Sequence, residues 1–144
     1  MAVPPVPAGF HTVTPYLIVP DAGGLLDFLK RGLGATEHHV MRGPDGGVAH
    51  GDVVIGDSHV MFGQAPDASK AMPSMLYLYV PDCDALYRQA LAAGATSVAE
   101  PSNQFYGDRH GAVLDCCGNH WYFATHVEDV SDAELQRRSE PRRG

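Results

Sequence analysis

Eight histidines and three cysteines are the side chains of this chain best suited to holding a metal or moving a proton. Cys116 and Cys117 are adjacent, so their Cα atoms stand about 3.8 Å apart, shorter than a disulfide normally spans. An odd cysteine count and the absence of any C-x-x-C pair argue against a disulfide framework and against a structural zinc knuckle. Reduced thiols are expected, with Cys116 and Cys117 as small apolar filler unless Cys116 is exposed and reactive. His38-His39 reads as an exposed strand pair with no native role. Phe105-Tyr106-Gly107-Asp108-Arg109 reads as a turn in which Asp108 pairs locally and Arg109 makes a structural salt bridge. Gly32-x-Gly34 lacks the third glycine of a dinucleotide fingerprint, and no G-x-S-x-G, P-loop or H-E-x-x-H occurs.

These residues sit in a chain of 144, long enough for one domain with its own core. The formal charge is −7, and four of the ten basic residues (Arg137, Arg138, Arg142, Arg143) lie in the tail. The acidic body argues against nucleic acid as a partner and weakly favours cationic or neutral ligands. No apolar run reaches the length of a membrane span. The N-terminal MAVPPVPAGF has no basic leader pattern, so the expected compartment is the cytoplasm.

The elements that must position the reactive residues come in two copies. Tyr16-Leu17-Ile18-Val19-Pro20-Asp21 returns sixty-one residues later as Tyr77-Leu78-Tyr79-Val80-Pro81-Asp82. Gly34-Ala35-Thr36 returns as Gly94-Ala95-Thr96, His50-Gly51 as His110-Gly111, and His59 and Phe62 line up with His120 and Phe123. Each copy has the same grammar. A β-rich segment (13–19; 74–80) is closed by Pro-Asp, with the Asp as a helix N-cap. A helix then runs to a glycine, and three strand candidates follow (36–42, 47–55, 58–63; 96–100, 109–115, 119–125). After Ser131 a capping-box-like start predicts a short helix whose last residues fray. The reading is a single α+β domain over 1–144. Two tandem βαβββ modules, at about 10–64 and 72–126, form an open, cupped eight-stranded half-barrel arrangement, followed by a C-terminal helical tail at about 131–144.

Tandem βαβββ units resemble the vicinal oxygen chelate superfamily, which includes glyoxalase I, bleomycin resistance proteins and extradiol dioxygenases. The residues that carry the resemblance are VTPYLIVPD at 13–21, the His50 strand followed by Ile55-Gly56-Asp57-Ser58, FYGDR at 105–109, and Asp115…Gly118…Trp121…Ala124-Thr125-His126-Val127. They are most similar to the PhnB-like, glyoxalase/bleomycin-resistance branch. One departure is Asp115-Cys116-Cys117-Gly118, where that branch has Asp-Pro-Phe-Gly.

The resemblance implies a cavity, often completed by a second subunit, and metal ligands on the first and last strands of each unit. Those positions fall here on Thr14, Met61, Met75 and Tyr122. None is an imidazole, carboxylate or thiolate, so no metal and no cofactor is expected. Strand alternation then adds Tyr16, His59, Tyr77, Tyr79 and His120 to the same wall as Met61, Met75 and Tyr122. Tyr106 and Arg109 would stand on its lip, gripping an aromatic or anionic ligand, unless they serve only the turn. Trp121, out of phase, belongs to the core. The expected function is binding of a small aromatic or cationic molecule in a metal-free cavity, of the sequestration or resistance type, by a homodimer. The reading leans away from catalysis. The alternative is a metal-dependent lyase, isomerase or dioxygenase with a relocated site at His59 and His120, with His50 or His110 as a further ligand.

Overall fold

A computed structural model describes residues 2–140. Module one comprises β1 (Tyr16–Val19), α1 (Ala22–Leu33), β2 (Thr36–Arg42), β3 (Val48–Ile55) and β4 (Ser58–Gln64). Module two comprises β5 (Met75–Tyr79), α2 (Cys83–Ala92), β6 (Thr96–Asn103), β7 (Asp108–Leu114) and β8 (His120–His126), and α3 (Asp132–Ser139) follows. Each module is the expected βαβββ unit. The sheets are separate and identical in topology, ordered β1-β4-β3-β2 and β5-β8-β7-β6. The first strand of each lies parallel to the last, and the remaining pairs are antiparallel.

The repeated Pro-Asp has a local cause. It ends the strand and caps the helix: Gly24 N donates to Asp21 Oδ1 at 2.9 Å, and Ala85 N donates to Asp82 Oδ1 at 3.0 Å. Gly34 closes α1 in the left-handed region, at φ 68°. β1 begins at Tyr16, three residues later than the sequence suggests, because Pro15 has no N–H to give a ladder.

The core lies on the helix side of both sheets. Leu17, Val19, Val60 and Phe62 pack with Leu25, Leu26 and Leu29, while Trp121 and Phe123 pack with Tyr87 and Ala90. The modules meet through α1 and α2, joined by Gln89 Nε2 donating to the Arg31 carbonyl at 3.0 Å. The linker between the modules holds one 3-10 turn, Ala68–Lys70. Trp121 is fully buried as expected, and its indole N–H donates to Asp115 Oδ2 at 2.8 Å. Asp115 also accepts from the backbone of Cys117 and Asn119 and from the Asn119 side chain. This carboxylate therefore organises the turn that lacks the family's proline and aromatic. Cys117 is buried there, but Cys116 is exposed, so only one of the pair acts as filler.

The repeated His-Gly also has a packing cause. Gly51 lies opposite Phe62, and a Cβ on it would stand 2.2 Å from the ring's Cζ. Gly111 lies opposite Phe123 and has Pro101 Cγ 2.9 Å from the same imaginary atom. We expect Gly51→Ala to destabilise the fold by about 1–3 kcal/mol through overpacking. A urea melt superimposable on the parent's would contradict this.

Ser131 caps α3 by accepting from Glu134 N at 3.2 Å. Arg138 ties the tail back to the module, donating to Glu128 at 2.7 Å and to the Phe105 carbonyl at 2.9 Å. Fraying is expected over 139–144, but Ser139 still ends α3 with Glu140 as its cap, and 141–144 lie outside the described residues. No described helix is long and apolar enough to cross a membrane.

Candidate functional site

Helices cover one face of each sheet and leave the other open. On module two that face is aromatic. Alternation along β5 turns Met75, Tyr77 and Tyr79 outward, away from buried neighbours in the core. Pairing with β8 and β7 brings Tyr122, Ala112, His110 and Asp108 onto the same face. Tyr77 stacks on Tyr122 with centroids 6.1 Å apart and meets Tyr79 edge-on at 5.4 Å.

A buried carboxylate anchors this group. Asp108 is 3% exposed. Tyr77 and Tyr79 donate their hydroxyl protons to its Oδ2 at 2.8 and 2.9 Å, and His126 Nδ1 lies 2.9 Å from its Oδ1. Burial alone would raise the Asp108 pKa, but the hydrogen bonds from His126, Tyr77 and Tyr79 outweigh it and hold the group below the ordinary carboxylate value. Asp108 is therefore an anion at neutral pH. The same bond raises the His126 pKa, helped by Asp129. The Tyr77 phenol is pushed well above its usual range by burial and by hydrogen bonding to Tyr106 and Asp108, and so stays protonated.

His110 completes the network. Its Nδ1 lies 2.9 Å from the Tyr106 hydroxyl and 3.2 Å from that of Tyr77. Tyr77 has committed its proton to Asp108, so towards His110 it can only accept, and the direction of the Tyr106–Nδ1 bond follows the imidazole tautomer. Burial lowers the His110 pKa and Asp108 opposes the shift without cancelling it, which keeps the imidazole neutral at pH 7. Module one repeats the pair without the carboxylate: the Tyr16 hydroxyl lies 3.2 Å from His50 Nδ1, with the rings stacked at 5.6 Å.

A groove of about 760 Å³ runs along the outer edge of β5. Tyr77 and Tyr79 line it from module two, and Val13, Pro15 and the turn Ile55–Ser58 line it from module one. Its size is that of a small-molecule site.

The other residues singled out in the sequence are distributed as follows. Met61 is half-buried opposite Asp52 and beside Tyr16. His59 is buried against Asp52, and His120 is half-buried at the start of β8. Arg109 points the other way. Its Nε and Nη2 grip Asp84 on α2 at 2.8 and 2.9 Å, holding that carboxyl down at about 2. Of the two readings of Phe105–Arg109, the salt bridge describes Arg109, while Tyr106 joins the aromatic group. The partners of Asp108 are distant in sequence instead of local. Asp84 is lower in the folded chain than unfolded, so the pair's contribution is present above pH 3.8 and fades as pH falls towards 2. We expect Arg109→Ala to raise the midpoint pH of acid unfolding, read by far-UV circular dichroism.

Sequence reasoning named His50 and His110 only as further ligands of the alternative relocated metal site, and placed neither Asp108 nor His126 at the site. A signal for the first two existed: a glycine that must face a core phenylalanine turns the histidine before it to the opposite face.

The sequence profile of the "Glyoxalase/Bleomycin resistance protein/Dioxygenase superfamily" matches residues 9–123. The chain belongs to this superfamily. A relative in Mycobacterium bovis, uncharacterized protein Mb0911c, is 33% identical over 135 residues, covering 86% of this chain and 89% of its own length. Uncharacterized protein Rv0887c of Mycobacterium tuberculosis is also 33% identical over 135 residues, with 86% and 79% covered. Among solved structures, TioX from Micromonospora sp. ML1 superposes with a TM-score of 0.71 at 24% identity, covering 81% of this chain and 99% of that one. A glyoxalase/bleomycin resistance protein/dioxygenase family enzyme from Burkholderia phytofirmans PsJN gives 0.65 at 20% identity, covering 79% and 97%. These two likenesses show the fold.

Many superfamily members use a metal, and the resemblance places its corners at Thr14, Met61, Met75 and Tyr122. The donors found there do not fit a divalent ion. Thr14 Oγ1 donates to the His11 carbonyl at 3.5 Å, the Tyr122 ring stacks with Tyr77 and meets His110 edge-on, and Met61 and Met75 offer only thioethers. Of the four positions only Tyr122 joins the aromatic face; Thr14 precedes β1, and Met61 and Met75 are neighbours of the tyrosines on β1 and β5.

Proposed function

We propose that this superfamily member binds a small planar aromatic molecule, preferentially cationic, on the tyrosine face of module two, in the manner of a sequestration or resistance protein. No metal is needed at the four superfamily corners. One observation carries the reading: Tyr77 and Tyr79, 36% and 66% exposed, are pinned by a buried anionic carboxylate beside a groove. Exposed aromatics held rigidly give a stacking and cation–π surface at little entropic cost. The chain's charge of −7 favours a cation at longer range.

The probe is ethidium, a planar aromatic cation whose fluorescence rises when it leaves water, compared with the anionic anilinonaphthalene sulfonate. Ethidium should bind at least about tenfold more tightly, a difference of roughly 1.4 kcal/mol. Equal or tighter binding of the anion would overturn the reading.

The same proposal includes a homodimer. Tyr16, Met75 and Tyr79 are more than half exposed, on the open side of the two sheets, where a second copy can cover them. Sedimentation velocity should give twice the chain mass of 15.4 kDa, and a monomer at micromolar concentration would contradict it. Three free thiols, at Cys83, Cys116 and Cys117, suit the reducing cytoplasm, and the motif residues favour the PhnB-like branch.

A further inference from the structure

Among the described residues three carboxylates are buried, and two of them accept three or four hydrogen bonds. Asp108 accepts on both oxygens from two tyrosines and a histidine, and Asp115 accepts four hydrogen bonds across its two oxygens. Asp52 differs. It is 3% exposed, and its one side-chain partner among the described residues is His59, whose Nδ1 lies 2.8 Å from Oδ1. A carboxylate can accept about four hydrogen bonds, so Asp52 has lone pairs left for a ligand, although no buried side-chain oxygen among the described residues is without a partner.

A second imidazole stands beside this pair. The ladder between β2 and β3 shifts register between Glu37 and His39, and His38 sits at that irregularity. Its ring meets His59 edge-on at 4.8 Å. One ligand atom from each of His38, Asp52 and His59 lies within 4.8 Å of the others. Phe10, from the segment before β1, lies flat on the His59 ring at 3.6 Å and 13° and touches His38 edge-on. That stacking fixes the plane of one ligand and keeps water off one side.

We propose that His38, Asp52 and His59 form a binding site for one divalent first-row transition ion of the zinc class, with two imidazole nitrogens, one carboxylate oxygen and an open fourth position. The set is borderline-soft nitrogen plus oxygen, which suits zinc, cobalt or nickel better than calcium or magnesium. The ion takes the place of the proton shared by His59 and Asp52. His59 changes tautomer, its proton passing from Nδ1 to Nε2, so no net proton is lost. The gap between the two ligand atoms opens to about 3.3–3.5 Å, as tetrahedral bonds of about 2.0–2.1 Å require. His38 is exposed and moves in by up to about 1.4 Å to reach the same separation. This site lies on module one, beside the Met61 corner, which faces Asp52 across the ladder, but it uses none of the four corner residues and does not depend on the ligand reading for module two.

The test uses untagged protein purified without a nickel column and stripped with EDTA. Cobalt(II) is titrated in, read by its visible absorption, and zinc(II) is titrated by calorimetry. One equivalent should bind, with the intense visible bands of a four-coordinate cobalt ion. His38→Ala removes an exposed side chain, so the fold should survive, and affinity should drop at least tenfold. Asp52→Asn should do the same, whereas His39→Ala should change nothing. The proposal is overturned if no stoichiometric ion binds, if His38→Ala binds as tightly as the parent, or if binding is lost only in Cys116→Ser, which would put the ion on the exposed thiol.

Discussion

Replacing Asp108 with alanine should weaken ethidium binding by about 10- to 100-fold and cost the fold about 2–4 kcal/mol. The stability figure follows from three hydrogen bonds to one charged acceptor, each contributing roughly 1.5–3 kcal/mol, less what the half-exposed tyrosines and His126 recover from water. The affinity figure follows from two losses at once. Tyr77 and Tyr79 are released from their fixed rotamers, and the anion beneath them disappears. Asp108→Asn separates the two. It keeps an acceptor for the tyrosines, so it should lose less stability, yet it should still bind the cation more weakly. Linkage provides a second readout. The Asp108 pKa is depressed, so its contribution is present above pH 3.8 and is lost on acidification. The His126 pKa is raised, so its contribution is complete below pH 6.5 and is lost as pH rises through the folded value. The pair stabilises most between those limits. Chemical denaturation of parent and Asp108→Ala at pH 5.5 and pH 9 should show the larger difference at pH 5.5, and an equal difference would contradict the assignment.

Tyr77→Ala should reduce ethidium affinity by about tenfold or more, with a much smaller effect on stability. The Tyr77 ring is the hub of the face, touching Tyr79, His110 and Tyr122, and is itself open to solvent. An aromatic stacking contact contributes on the order of 1–3 kcal/mol to a bound base. Tyr77→Phe keeps the ring and loses the hydroxyl between Asp108 and His110, so it should sit between parent and alanine. If alanine and phenylalanine bind equally poorly, the hydroxyl network matters and the stacking does not. If both bind like the parent, ligand recognition lies elsewhere.

Much of the fold was legible because the chain states it twice. Pro-Asp closing a strand and capping a helix recurs in both modules; a glycine follows thirteen residues after Asp21 and twelve after Asp82, capping α1 directly but standing one residue beyond the Ala93 cap of α2. The site was half legible. Period-two alternation put Tyr77, Tyr79 and Tyr122 on one face, and that placement needs only the strand. Arg109 was ambiguous because its partner, Asp84, lies on a helix, and a strand sequence does not record which helix residue faces it. Asp108 was read as a local turn acid because burial is not written in the side chain. Its environment comes from β5 and β8 closing around it. His38 was set aside as exposed, and exposed it is, but the shift in the β2–β3 ladder brings it to His59, and such irregularities leave no periodic trace.

We propose that this member of the superfamily recognises its ligand with tyrosines and one buried carboxylate, with no metal at the four corners. The most direct measurement is the affinity for ethidium of the full chain before and after exhaustive treatment with EDTA, with zinc(II) and nickel(II) added back. The dissociation constant should stay the same within twofold in all states, and Tyr77→Ala should lose binding in each of them. A drop of tenfold or more on chelation, restored by adding the metal, would contradict it.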